Sequence, residues 1–434
     1  MQPRDSKPHG RKSAAQRIPS RWIRSLLRSL GPGIITGAAD DDPSGIATYS
    51  VAGALLGTKL LWTALVTWPL MAAVQMMCAR IGKVTGLGLA GNFRQRFPRW
   101  LLLAFVSALL IANTINIAAD LAGMADAAAM LSGINSRWYV VAFAIAISWA
   151  TVRLQYHQIA NVLKWLVLVL FAYPVTAFVV GVDWNQVLRA TFIPSLPHSR
   201  AEWAMLVAIL GTTISPYLFF WQTSEEVEEE KSAGQSSLTQ RRGATSQELR
   251  LRNIDVGVGA FFSNMVMFFI ILTTAITLNK HGITKIETTR QAAEALRPFA
   301  GKFATTLFTL GIVGVGFLAI PTLAGSAAYA FAETLGWRQG LGKKLKQAHW
   351  FYALILISTG VGVALDFIGI NPVKALYWTA VINGLLAPFI LVAILIVASD
   401  KKLMQGQPCS RLNWIVVAIT TIAMFVAGVA MFVV

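Results

Sequence analysis

Gly31-Pro-Gly-Ile-Ile-Thr-Gly-Ala-Ala-Asp-Asp-Asp-Pro-Ser-Gly45 decides how this chain is read. Three consecutive carboxylates and a Pro-Ser-Gly breaker interrupt an apolar segment, and Ile46 to Leu56 then resumes its hydrophobic, helical character. A charged side chain deep in a bilayer costs at least a few kcal/mol, so it faces a cavity and has a task there. A helix broken at that depth frees backbone carbonyls, which are tolerated only where they are buried in protein or line an aqueous site. Carboxylates together with free carbonyls make the donor set of a hard cation.

Composition supports a membrane setting. The 434 residues are 55% hydrophobic and only 13% charged, against about 25% charge in a soluble domain. Apolar runs of roughly 20 residues, long enough to span a bilayer, recur throughout. Spans are expected at 31–56 (broken), 60–82, 100–131, 138–156, 159–182, 202–222 (broken), 254–279, 303–334, 349–369, 372–398 and 412–433. The first 30 residues are polar and basic and carry no cleavable-signal pattern. Cys78 and Cys409 fall near helix ends on one side and read as free thiols.

The net charge of +17 does not imply a nucleic-acid partner, because Lys and Arg collect in loops as the positive-inside rule requires. The tail 1–30 holds Arg4, Lys7, Arg11, Lys12, Arg17, Arg21, Arg24 and Arg28, which suits an anionic inner leaflet. Further basic loops around Arg80, Arg241, Lys343 and Lys401 place the N-terminus in the cytoplasm and, after eleven spans, the C-terminus outside. The outer loop 280–302 breaks the charge rule, and its amphipathic pattern predicts a short surface helix at about 286–298. The segment 223–252 reads as a polar cytoplasmic loop opening on Glu225-Glu-Val-Glu-Glu-Glu-Lys231. Those glutamates are expected to form a solvated helix continuation rather than a cation trap at the pore exit.

A second break is expected at Ser215-Pro216, in the sixth span, where proline removes a donor and restricts the residue before it. Breaks in the first and sixth spans match two five-helix repeats of inverted topology, with the substrate held at the midplane between them. The expected architecture is therefore all-α and polytopic. Residues 31–182 form one repeat and 202–398 the other, and 412–433 is an additional eleventh helix.

The chain resembles the Nramp divalent-metal transporters over essentially its whole length. The resemblance rests on Gly31-Pro-Gly33, Asp42-Pro-Ser-Gly45, Lys59-Leu-Leu-Trp62, Cys78-Ala-Arg-Ile-Gly-Lys-Val-Thr-Gly86 and Ser399-Asp-Lys-Lys-Leu-Met404. It implies an amino-acid-transporter-like fold working by alternating access, with the divalent cation as substrate, no cofactor, and no obligate protein partner besides the bilayer. It implies Asp42 as the carboxylate ligand, with Ala39 and Thr212 presenting carbonyls. Two family ligands are replaced: the asparagine of the first break by Gly45 and the methionine of the second by Ser215. Tyr217 and Gln222 stand where the family has histidines, and Ile117-Ala-Ala-Asp120 stands where it has Asp-x-x-Glu.

These departures shift the expected chemistry. Thioether favours softer transition metals, whereas carboxylate, carbonyl, hydroxyl and water suit Mg²⁺, Ca²⁺ and Mn²⁺. Mg²⁺ retains several waters and takes one or two carboxylates, so a partly hydrated hard ion on Asp42 is expected, as in the Nramp-related magnesium branch. A relay of titratable groups is missing, so proton coupling is expected to be weak or absent. Asp41 is an expected outer-shell group and Asp40 a structural one, while Asp120, Asn383, Tyr217 and Gln222 belong to the outer shell or pathway. Asn113, Asn116, Gln75 and Asn264 read as interhelical hydrogen bonders, and Lys164 and Arg153 as snorkelling residues. The competing readings are an ordinary proton-coupled Mn²⁺/Fe²⁺ Nramp transporter and an organic-solute transporter on the same fold. An intramembrane protease would need Gly-x-Gly-Asp or His-Glu-x-x-His, and neither string is present. The location implied is a bacterial inner membrane.

Overall fold

A computed structural model describes residues 37, 40–154 and 168–434. The basic tail, the first half of span one, Ala39, His157 and Lys164 lie outside the described residues.

The described chain is helical. Its elements are α1 (Pro43–Leu56), α2 (Leu61–Thr85), α3 (Leu89–Arg96), α4 (Arg99–Ser132), α5 (Ser136–Arg153), α6 (Ala172–Val179), α7 (Trp184–Phe192), α8 (Arg200–Thr213) and α9 (Pro216–Ser232). The second half contains α10 (Leu238–Arg241), α11 (Ser246–Thr277), α12 (Thr289–Glu294), α13 (Arg297–Ala300), α14 (Ala304–Leu335), α15 (His349–Asp366), α16 (Pro372–Ser399) and α17 (Arg411–Val433). Among the described residues, 8 helical stretches are long and apolar enough to cross a membrane, the broken pair α8–α9 counting as one. The other three expected spans contain the shorter helices α1 and α6, and α5, which at 18 residues is as long as α15 but less apolar.

Both breaks form, for the same local reason. Asp42 is extended (φ −67°, ψ 170°) and Pro43 opens α1; Ser215 is extended (φ −78°, ψ 135°) and Pro216 opens α9. Proline is at home in the first turn, where its missing N–H has no partner to lose. Proline alone does not break a helix here, since Pro69, Pro321 and Pro388 lie inside continuous α2, α14 and α16.

Glycine sets the closest helix approaches. A Cβ at Gly211 of α8 would lie 2.0 Å from the Ala380 carbonyl oxygen of α16, and one at Gly384 would lie 2.4 Å from the Val207 carbonyl oxygen. A Cβ at Gly53 of α1 would lie 2.3 Å from the Ile271 carbonyl oxygen of α11. In a bilayer, where helices gain little by hiding apolar surface from lipid, such backbone contacts supply much of the association. They seat α1 and α8 against the core formed by α4, α11 and α16.

The glutamates form the expected helix continuation, α9 running to Ser232, so 223–232 is not loop. Two further expectations are corrected. That continuation is not solvated: Glu225, Glu226 and Glu230 are 4%, 0% and 6% exposed. Positions 222, 226, 229 and 230 share a helix face by their three- and four-residue spacing, and that face meets cations. Lys83 of α2 lies 3.2 Å from Glu229 and 3.8 Å from both Glu226 and Glu230. Arg252 of α11 lies 2.9 Å from Glu226 and 2.7 Å from Asp255, and also pairs with Glu229. The surface helix expected at 286–298 is two short pieces, α12 and α13, interrupted before Arg297-Pro298.

Removing one partner of a buried ion pair strands the other, at a cost of about 3–5 kcal/mol. Arg252→Ala, which removes the buried cation between Glu226, Glu229 and Asp255, should lower the thermal midpoint of the solubilised protein far more than Arg297→Ala in the exposed pair with Glu294. Gly211→Leu should prevent recovery of monodisperse protein, because its first side-chain atom meets backbone that cannot move aside. Size-exclusion profiles and thermal melts check both.

Candidate metal centre at the two breaks

Asp42 ends the break in span one as the N-cap of α1. One carboxylate oxygen accepts the Gly45 N–H at 2.6 Å, which satisfies a donor that the start of any helix leaves free. The other oxygen accepts Asn116 Nδ2 of α4 at 3.0 Å. The carboxylate is thus fixed by its own helix and by a neighbour, with lone pairs remaining on each oxygen. Ser44 in the next position ties α1 to α16, its hydroxyl donating to the Leu376 carbonyl at 3.0 Å and lying 3.3 Å from Thr379 Oγ1.

The second break faces the first. A Cβ on Gly45 would sit 3.2 Å from Thr212 Oγ1 and 3.4 Å from Tyr49 Cε2. The asparagine that the family has at this position would therefore be crowded by Thr212 and Tyr49. Ser215 Oγ is 2.6 Å from the Gly211 carbonyl oxygen and 2.9 Å from that of Thr212. Its single proton caps the freed end of α8, so towards the site Ser215 offers an acceptor and no donor. Tyr217 is buried in the first turn of α9, within electrostatic reach of Asp42, Asp40 and Asp120.

Asp40 and Asp41 are buried and turn towards α11, where Ser263 Oγ is 2.5 Å from Asp40 Oδ2 and 3.3 Å from Asp41 Oδ1. A hydroxyl has one proton for these two carboxylates, and Asp40 Oδ1 has no partner among the described residues. Asp120, one helical turn beyond Asn116 on α4, is fully buried, and neither of its carboxylate oxygens makes a hydrogen bond of normal geometry. The backbone N–H of Ser44 faces both Asp42 and Asp120. The amide oxygen of Asn116 is also without a donor among the described residues. Buried polar atoms nearly always have a partner, so a cluster of unpartnered acceptor oxygens around Asp42 is a place for a cation or for the waters it carries. Among the described residues, no group of three His, Cys, Asp or Glu side chains lies close enough to hold a metal unaided. A metal here would depend on carbonyls and water beside the carboxylate.

The structure brings Asp42, Gly45, Thr212, Ser215, Tyr217, Asp41 and Asp120 together. Ala39 lies outside the described residues. One other expected residue stands apart: Gln222 donates to Glu226 at 2.8 Å and so joins the ionic cluster. Asn383 is buried on α16. Asn113 does serve as interhelical glue, donating to the Leu323 carbonyl at 2.8 Å and to Ser326 Oγ at 2.9 Å. Asn116 also bonds between helices, but its partner is the central carboxylate at the N-cap of α1. Ser263 was no candidate from the sequence, where nothing marks it among the serines of the apolar helices.

The Nramp family model, described as natural resistance-associated macrophage protein-like, matches residues 33–434. A divalent metal cation transporter MntH of Caldanaerobacter subterraneus is 27% identical, covering 94% of this chain and 95% of that protein. An MntH of Aeromonas hydrophila is 26% identical over 89% of this chain and 90% of that one. The Eremococcus coleocola manganese transporter has the same fold, with a TM-score of 0.74 at 18% identity over 96% of this chain and 89% of that one. Mhp1, a nucleobase-cation-symport-1 transporter, shares it more distantly, with a TM-score of 0.56 at 14% identity over 92% and 90% of the two chains. With a break in each of the first and sixth spans and a family match running from Gly33 to Val434, this chain belongs to the Nramp family.

Proposed function

We propose that the protein carries a hard divalent cation, Mg²⁺ or Mn²⁺, across the membrane by alternating access, holding it partly hydrated on Asp42 between the two breaks. The observation that supports this most is the set of acceptor oxygens on Asn116 and Asp120, unpartnered among the described residues, beside a carboxylate that is already oriented. Oxygen-only surroundings suit hard ions, and Mg²⁺ in particular keeps its water. Ser215 in place of a thioether and Gly45 in place of an amide work in the same direction. Mn²⁺ stays within the reading because relatives on this fold are named as manganese transporters and the ion belongs to the same hard class. An organic anion is disfavoured, since the site is rich in acceptors and poor in donors.

In this reading the ion moves without stoichiometric proton flow. Ile117 fills the position of the family's first acid and is fully buried, and a Cβ on Gly362 of α15 would lie 3.1 Å from its Cγ2. That contact is apolar and closed, so Asp120 has no titratable successor there. The transporting unit comprises the inverted repeats 31–182 and 202–398 with 412–433 appended. It lies in a bacterial inner membrane with the N-terminus in the cytoplasm.

Uptake of Mg²⁺, Mn²⁺ and Ca²⁺ into proteoliposomes tests the assignment. Asp42→Ala should reduce uptake of Mg²⁺ and Mn²⁺ to background, whereas absence of divalent uptake in the wild type would point to another cargo. Asn116→Leu, which keeps the volume and removes the hydrogen bond to Asp42, should raise KM by about 10-fold, equivalent to about 1.4 kcal/mol for a charged hydrogen bond. With the membrane potential clamped, a pH dye inside the vesicles should report no acidification during metal entry. Acidification in step with uptake would restore the ordinary proton-coupled reading.

A further inference from the structure

Between α2, α11 and α17 the surface opens into a groove of about 610 Å³ that is separate from the metal centre. Leu65, Trp68, Ala73 and Met76 on α2, with Val416 on α17, give it apolar walls. Leu65 and Trp68 are 41% and 38% exposed at one end, and Leu412 is 74% exposed at the other, so the groove opens sideways to the bilayer. Arg80 is the one charged residue in its lining, and it stands at the same end as Ser410, Asn413 and Asn253. Its Nε donates to the Gln407 carbonyl at 3.2 Å, while its two terminal nitrogens make no hydrogen bond or ion pair among the described residues.

The dimensions match a lipid. Leu65 to Arg80 extends about 22 Å at ~1.5 Å per residue. One leaflet contributes about 15 Å of hydrocarbon, half of a ~30 Å core, before the headgroup zone begins. Apolar walls thus run the depth of a leaflet and end at a guanidinium with free donors, where a phosphate would lie. Arginine pairs with phosphate through two parallel N–H donors. The first turn of α17, capped by Ser410, adds a positive helix end at the same level. Basic pockets between transmembrane helices are recognised sites for anionic headgroups.

We propose that this groove binds one anionic phospholipid from the leaflet on the Arg80 side, with its phosphate on Arg80 and an acyl chain along Met76, Ala73 and Trp68. A bound lipid there would pin α17 to α2 and α11, filling a seam that no described side chain fills.

Cys409 lines the groove and is half-buried, whereas Cys78 is 0% exposed, so thiol labelling reads occupancy. The full chain is placed in nanodiscs of phosphatidylcholine alone, or of phosphatidylcholine mixed with phosphatidylglycerol, and treated with a water-soluble maleimide. Labelling of Cys409 should be several-fold slower in the mixed discs. Leu412→Glu, an exposed change that puts a negative charge at the mouth, should restore the faster rate, and so should Arg80→Gln. Because Arg80→Gln also removes the bond to Gln407, Leu412→Glu decides if the former misfolds. Equal wild-type rates in the two discs would overturn the proposal, leaving neutral lipid or the chain's own residues 1–36 as occupant. Survival of the phosphatidylglycerol effect in Leu412→Glu, or protection by inorganic phosphate in phosphatidylcholine discs, would also overturn it.

Discussion

The Asp42 carboxylate, held by the Gly45 N–H and by Asn116, is the contact on which the rest of the structure depends. A bilayer offers no water to satisfy a broken helix, so each freed group at the breaks needs a protein partner or cargo. On the first break, Asp42 answers the donors at the start of α1. On the second, the Ser215 hydroxyl answers the carbonyls at the end of α8. Both devices consume donors and leave acceptors, and the space between the breaks is accordingly lined with oxygen. A site suited to a cation follows from stabilising two helix interruptions with an aspartate and a serine.

Around this centre the helices are held by two kinds of contact. Glycine crossings at Gly53, Gly211 and Gly384 bring backbones close enough to seat α1 and α8. On the Arg80 side, Lys83 and Arg252 draw the acidic face of α9 onto α2 and α11. Backbone crossings are rigid, whereas ion pairs can be exchanged for water as a gate opens. The second half of the broken sixth span therefore carries the more convertible contacts of the two. Gln222 and Glu226 connect this cluster to the length of helix that begins at Ser215.

Much of this was legible in the sequence where chemistry is local. Asp-Pro and Ser-Pro inside apolar runs predicted the breaks, and their separation predicted the fold that the similar solved structures share. Local reading did not reach what depends on partners far along the chain. Asn116 resembles Asn113 in sequence, yet one holds Asp42 and the other holds α14, a difference set by helix rotation. Ser263 has no motif around it and meets Asp40 across 223 positions. The glutamates of α9 read as solvated because runs of charge usually are, and the cations that bury them come from Lys83 and Arg252 on other helices. Proline content misleads in the opposite sense: Pro69, Pro321 and Pro388 leave their helices continuous, and each follows an apolar residue (Trp68, Ile320, Ala387) with no carboxylate or hydroxyl to satisfy groups that a break would free.

The central claim is that cargo meets oxygen and water between the breaks, with no soft ligand. Mg²⁺ uptake into proteoliposomes measured with and without equimolar Cd²⁺ tests it most directly. The account predicts that Cd²⁺ leaves wild-type uptake nearly unchanged and inhibits strongly only after Ser215→Met supplies a thioether. Strong inhibition of the wild-type protein by Cd²⁺ would contradict it.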